Sequence, residues 1–572
     1  MRVDELRSVV LCLGCFTLCC VVACAPIVEP ADLVLQNGRL VTVDELNPEG
    51  QAMAILSDRI VAVGTNDEID MYIGSETRVV DLEGRLTIPG FIEGHGHFLG
   101  IGDAKLQLNL ADVQSWNEIV AMVQEAVKDA NPDTLILGRG WHQDKWDRIP
   151  SPNVLGLPVH EALSEVSPNN PVILQHASGH AVFANARAME LAKINSQTTN
   201  PFGGEIVKDS SGDPIGMFRE TAEDLLVKAI RDEIPTDSRR QAELAVEEVL
   251  SKGITSFQDA GSSFATVDLF KRMAEDGSLV VRLWVMLRES NEHLAEKLSN
   301  YRIINFGDNR LTVRAIKRSI DGALGTHGAW LLAPYTDLPQ SSGLSTTSVD
   351  EIFETARLAM EHNFQLCVHA IGDKGNREVL NVFEEVFSEN LDKSDVRWRV
   401  EHAQHLHSQD VPRFGELGVI ASIQASHATS DGPWVTDRLG AERSLEGAYV
   451  WQKLMQSGAI VINGTDAPVE DVDPITSFYA SVTRKLKDGS IFNPKQRMSR
   501  MEALRSYTLS AAYAAFEEDM KGSLTPGKLA DITVLSKDIM TVPEEEILTA
   551  EVVYTIVGGE IVYDRDINAE EH

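Results

Sequence analysis

Short apolar runs rich in β-branched residues recur along most of this chain, and between them apolar positions fall at helical spacing. Runs near 87–95, 254–259, 281–287, 312–320, 365–370, 397–402, 418–424 and 459–465 read as buried strands. Stretches such as Val349 to His362 and Gly375 to Phe387 read as the helices between them. Regular alternation predicts an α/β chain with a parallel sheet, and eight units predict a (β/α)8 TIM-type barrel over about 87–510. The gap after the first run is too long for a connecting loop, so an insertion is expected at about 105–245, after the first strand. Residues 31–86 instead carry β-rich runs punctuated by turns such as Asn37-Gly38, and the same pattern returns at Ala530–Leu535 and Val552–Gly559. Both chain ends, 31–86 and 511–566, are therefore expected to build one small β-sandwich.

The candidate chemistry gathers where these runs end. His95 and His97 lie one residue apart at the close of the first run, and strand side chains alternate faces with a period of two. Both imidazoles thus point to one side, a geometry for gripping a metal ion. In a chain with fifteen histidines such a pair is weak evidence alone. His369, His402 and Asp466, however, each close another run, on the fifth, sixth and eighth strands. Active sites of such barrels sit at the C-terminal ends of the strands. The alternatives are buried structural histidines and, for Asp466, a turn or cap aspartate.

Composition narrows the picture. With 43% hydrophobic residues over 572 positions the chain can bury a large core, and a formal charge of −35 argues against a nucleic-acid partner. Five of the six cysteines precede residue 25, leaving Cys367 unable to form a disulfide within the folded body. The apolar stretch Val9 to Ala25 follows Arg2 and Arg7 and reads as a signal segment, with residues 1–30 as leader. Val21-Val22-Ala23-Cys24 resembles a bacterial lipobox, although Asp4 and Glu5 dilute the basic start. The expectation is an exported protein, periplasmic or anchored as a lipoprotein, that meets the membrane only through this leader or its lipid.

The motifs together resemble the metal-dependent amidohydrolase superfamily, in its YtcJ-like (amidohydrolase 3) branch, which includes N-substituted formamide deformylases. The resemblance covers the chain after the leader. It rests on Pro89-Gly90-Phe91-Ile92 before His95-Gly96-His97, on His369-Ala370-Ile371-Gly372-Asp373, on Glu401-His402-Ala403-Gln404, and on Gly464-Thr465-Asp466-Ala467-Pro468. Gly522 to Asp531 and Ser178-Gly179-His180-Ala181 add to it. Two details depart from the common pattern: Glu93-Gly94 precedes His95 where Asp-Ser or Asp-Thr is frequent, and Thr465 replaces the usual serine.

The resemblance implies a divalent metal, with Zn²⁺ expected, as one or two ions held by His95, His97, Lys317, His369, His402 and Asp466. Lys317 matches a fourth-strand lysine that binuclear relatives carry as a carbamate bridging two metals. Otherwise it is a lysine paired with Asp321 or exposed at the rim, and the site is mononuclear. A metal-activated hydroxide would attack a small-molecule substrate, with Asp466 as general base and then general acid. The implied reaction is cleavage of a non-peptide C–N bond in an amide, formamide or cyclic amide. The competing readings are a cyclic amidine deaminase and a catalytically idle exported binding lipoprotein. Relatives are commonly dimeric, so a homodimer is consistent with the resemblance.

The insertion is expected to set substrate choice, because loops on a rigid barrel carry specificity. His180 and Glu220 are the best candidates for substrate contact. Trp141 and Trp146 read equally well as subdomain core, and Arg219-Glu220 as a solvated pair.

Overall fold

The computed structural model describes residues 28–230 and 237–568. The expected leader therefore lies, apart from residues 28–30, outside the described residues, and so does lipobox Cys24.

Eight parallel strands form a nearly closed sheet in chain order: β1 Phe91–Gly96, β2 Ile254–Ser262, β3 Arg282–Leu287, β4 Leu311–Ser319, β5 Gln365–Ala370, β6 Arg399–His402, β7 Ile420–Gln424 and β8 Val461–Gly464. Each fills one of the apolar runs read from sequence, because a strand covered by helices on its outer face is buried on both sides and has no polar alternation. Helices such as Val349–Glu361 and Asp373–Glu389 return the chain between strands.

Closure between β8 and β1 is made by their exits. The N–H of Asp466 donates to the carbonyl of His95 at 2.7 Å, and the N–H of His97 donates to the carbonyl of Ala467 at 2.7 Å. Glu93 adds a side-chain staple, accepting from the N–H of Thr465 at 2.6 Å. The approach is too close for side chains. A Cβ at Gly94 would stand 2.4 Å from the Asn463 carbonyl, and one at Gly464 would stand 2.5 Å from the backbone nitrogen of His95. Two glycines thus set the spacing that brings His95, His97 and Asp466 to one point.

The first run does not form one strand. Leu86–Pro89 pairs antiparallel with Ile532–Leu535, and the chain enters the barrel sheet at Phe91. The crossing thus falls not between 86 and 87 but at Gly90, which passes so close to Thr255 that a Cβ would stand 2.2 Å from its Oγ1. Residues from both chain ends make up a six-stranded sheet in the order Glu560–Asp564, Val552–Val557, Ile532–Leu535, Leu86–Pro89, Arg39–Val41, Glu49–Gly50. A four-stranded sheet of Arg59–Gly64, Ala52–Leu56, Leu33–Gln36 and Arg78–Asp81 shares an apolar cluster with it, including Leu35, Met53, Ile532 and Ile556.

Between β1 and β2 the chain builds a separate six-stranded mixed sheet, in the order Gly204–Lys208, Pro214–Glu220, Ala181–Ala184, Val172–His176, Ile136–Trp141, Leu108–Asn109. Trp141 and Trp146 belong to its core, and the indole N–H of Trp141 donates to the Leu174 carbonyl at 2.9 Å. Among the described residues no helix is long and apolar enough to cross a membrane.

Candidate active site

His95 is fully buried at the end of β1, and its Nδ1 is hydrogen-bonded to Glu401 Oε2 on β6. Burial alone would raise the Glu401 carboxyl, but His95, Arg399 and Lys317 outweigh it and hold it at about 2. An ionised Glu401 fixes Nδ1 as the donor, so the Nε2 lone pair faces the barrel axis. There it stands 3.5 Å from Asp466 Oδ1, while His97 Nε2 stands 3.1 Å from the same oxygen. Asp466 Oδ1 is buried, yet neither contact has the alignment of a hydrogen bond.

Burial pushes the Asp466 carboxyl up, but His97, His95 and His402 more than reverse this and hold it well below the usual range. His402 and His369 are driven the other way, chiefly by burial, to well below the usual imidazole range. Their rings lie 4.4 Å apart, and His95 lies 4.9 Å from His402. His369 Nε2 has no hydrogen-bond partner and stands 3.7 Å from Asp321 Oδ1.

Two groups of side chains among the described residues bring metal-type atoms within 4.8 Å of one another: His95, His97 and Asp466, and His402, His427 and Asp466. His369 belongs to neither. Imidazoles and a carboxylate are the donor set of a divalent transition ion, and the unpaired buried atoms of Asp466, His402 and His427 are what such an ion would satisfy. The residues present therefore fit a metal.

Lys317, buried on β4, places Nζ 3.3 Å from His95 Nε2. Burial lowers its pKa, and the nearby carboxylates of Glu401 and Asp466 do not fully restore it. The alternative pairing with Asp321 does not occur. Asp321 accepts instead from the backbone N–H groups of Ile371, Gly372 and Trp330 at 3.0, 2.7 and 2.8 Å. Lys317 is not an exposed rim lysine either.

The insertion delivers His180 and Glu220 to the same place. His180 Nδ1 is 2.8 Å from Glu220 Oε2, and its ring lies 5.0 Å from that of His369. Burial would lower the His180 pKa, but Glu220 outweighs it and raises the value. The alternative, a solvated Arg219-Glu220 pair, does not occur: Arg219 is bound to Glu205 at 2.7 Å. Glu220, His402 and Asp466 all carry positive φ, 53°, 74° and 57°. For residues with a Cβ this costs of order 1–3 kcal/mol each, strain that the surrounding structure must hold.

Two cavities meet here, one of about 380 Å³ and one of about 530 Å³, sharing His180, His402 and Asp466. The smaller is walled by Leu324, Ile371 and Trp434, the larger by charged groups that include Arg139 and Arg288. Sequence reading gave no role to Glu401 or His427; Arg139, among the insertion's polar groups read as covering the barrel mouth, ties the insertion to the Pro468 carbonyl at 3.2 Å.

A family model described as the amidohydrolase family matches residues 78–563. The chain belongs to that family. Over 547 residues this amidohydrolase is 34% identical to the protein LONG AFTER FAR-RED 3 of Arabidopsis thaliana, covering 93% of this chain and 92% of that one. It is 28% identical to the putative amidohydrolase YtcJ of Bacillus subtilis, covering 93% and 99%. It is 26% identical to the N-substituted formamide deformylase of Arthrobacter pascens, covering 93% and 98%. Among solved structures, a metal-dependent hydrolase from Pyrococcus furiosus superposes with a TM-score of 0.68 at 28% identity, covering 89% of this chain and all of that one. The family read from the motifs is thus the family found, and the chain is a hydrolase.

Proposed function

We propose that this amidohydrolase cleaves a non-peptide C–N bond, in an amide, formamide or cyclic amide, with a divalent ion, Zn²⁺ being the expected one. The observation that carries this reading is the position of Asp466: an ionised, buried carboxylate whose Oδ1 faces two imidazoles where two cavities meet. The likeness to a deformylase of N-substituted formamides supports a small amide as substrate.

His95, His97 and Asp466 would hold the ion, with His402, His369 and Lys317 beside them. When bound, such an ion polarises a carbonyl and lowers the pKa of water from about 16 toward about 7. Asp466 takes a proton from the attacking water and passes it to the departing nitrogen. One C–O bond forms, the C–N bond breaks, and the proton leaves with the amine. His180, oriented by its contact with Glu220 Oε2 at 2.8 Å, donates to the carbonyl oxygen as negative charge develops there. Lys317 is assigned as a carbamate because it is buried beside His95 Nε2 on the fourth barrel strand, where an ammonium could not serve as a metal ligand. The apolar leader ending in Cys24 supports export with lipid anchoring.

The test is a panel of N-formyl, N-acyl and cyclic amides given to the zinc-loaded protein. Release of amine and acid in equal amounts from at least one class is expected. No turnover across the panel would overturn the reading.

A further inference from the structure

His427 enters from a part of the barrel that the motif-based ligand set does not use. It lies in the first turn of the helix Ala425–Leu439, directly after β7, and that turn is pinned because the Ala425 N–H donates to Asn463 Oδ1 at 3.1 Å. One turn on, Asp431 accepts from Tyr449 Oη at 2.5 Å and from Gln404 Nε2 at 3.2 Å. The helix start is therefore fixed to β8 on one side and to the residues after β6 on the other.

This places the His427 ring parallel to that of His402, with an interplanar angle of 8° and centroids 6.2 Å apart. His427 is 8% exposed, and its Nε2 is buried without a hydrogen-bond partner. A buried polar atom left without a partner is destabilising unless something satisfies it. The atoms close by are themselves donors to cations, since His402, His427 and Asp466 each offer one within 4.8 Å of the others. Two imidazoles and one carboxylate suit a divalent first-row transition ion.

We propose that His427 is a metal ligand and that, with His402 and Asp466, it forms a second cation position beside the one formed by His95, His97 and Asp466. Asp466 is then the residue the two positions share. The inference rests on the metal-hydrolase reading above, and it assigns a ligand to the exit of β7.

The test is zinc-loaded crystals of the unmodified chain measured at the zinc absorption edge, with elemental analysis of the same protein and of His427→Ala. The expected result is two anomalous peaks, one within bonding distance of a His427 ring nitrogen, and two zinc ions per chain falling to one in the variant. A single peak, or a second peak held without His427, would overturn the proposal. So would two ions in a folded His427→Ala protein. If that variant fails to fold, the map of the unmodified chain decides. No zinc in the unmodified chain would overturn the metal reading itself, a different result from either of these.

Discussion

Glu401 on β6 grips the Nδ1 of His95 on β1 across the barrel interior, with both side chains fully buried. The contact orients an imidazole whose other nitrogen faces Asp466 and Lys317. Replacing the carboxylate leaves the ligand in place while freeing its ring and lowering its basicity. Glu401→Gln is therefore expected to weaken zinc binding about 10–100-fold with the fold retained. Competition against a chromophoric chelator measures this, and unchanged affinity would remove Glu401 from the support of the centre.

Asp466→Asn keeps a side-chain oxygen near His97 but cannot take up a proton. Turnover is expected to fall by about 10²–10⁴-fold, the usual worth of a positioned acid–base group. The amide is a weaker zinc ligand than the carboxylate, so turnover is compared at full zinc loading. Steady-state kinetics with metal analysis separates the two effects, and near-normal turnover would take the proton-transfer role away from Asp466.

Glu220 acts through His180. Glu220→Gln removes the carboxylate that orients His180 and raises its pKa, so kcat/KM is expected to drop about 10–100-fold while metal content is unchanged. Loss of zinc in this variant would instead mark Glu220 as a support of the metal centre.

Stability has its own handle in Arg282 and Asp531, which join β3 to the sheet of both chain ends through two bonds of 2.7 and 2.9 Å, each side chain 3% exposed. Burial raises the Asp531 carboxyl, but Arg282 outweighs it and the net shift is downward. A depressed folded value means that the pair's contribution is present above the unfolded value of about 3.9 and is lost as pH falls through the folded one. Asp531→Ala, which strands a buried guanidinium, is expected to cost about 3–5 kcal/mol near neutral pH. Denaturant melts between neutral and acid pH measure both, with the difference between wild type and variant shrinking at the acid end.

The barrel was legible because its strands are buried on both faces and stand out as unbroken apolar runs, each ending in a residue that the sheet then carries to the rim. The crossing at Gly90 was not, because although Pro89-Gly90 interrupts the run, the sheet change depends on pairing with Ile532–Leu535 far along the chain. Glu401 was visible beside His402, yet that it faces His95 depends on where β6 and β1 stand around the barrel. His427 gave no signal, being one histidine among small residues at a helix start, with no apolar run ending on it. His180 and Glu220 were read singly from the insertion. Their pairing follows from the antiparallel register Ala181↔Arg219, which extends to a hydrogen bond from the Glu220 N–H to the His180 carbonyl at 2.9 Å.

The central claim is that hydrolysis depends on a divalent ion held at His95, His97 and Asp466. Its most direct test is turnover of a responsive amide measured against zinc occupancy, in the chelated chain and on titration back with Zn²⁺. The account predicts activity that vanishes on chelation, returns in proportion to bound zinc, and does not return in His97→Ala. Full turnover in the metal-free chain would contradict it.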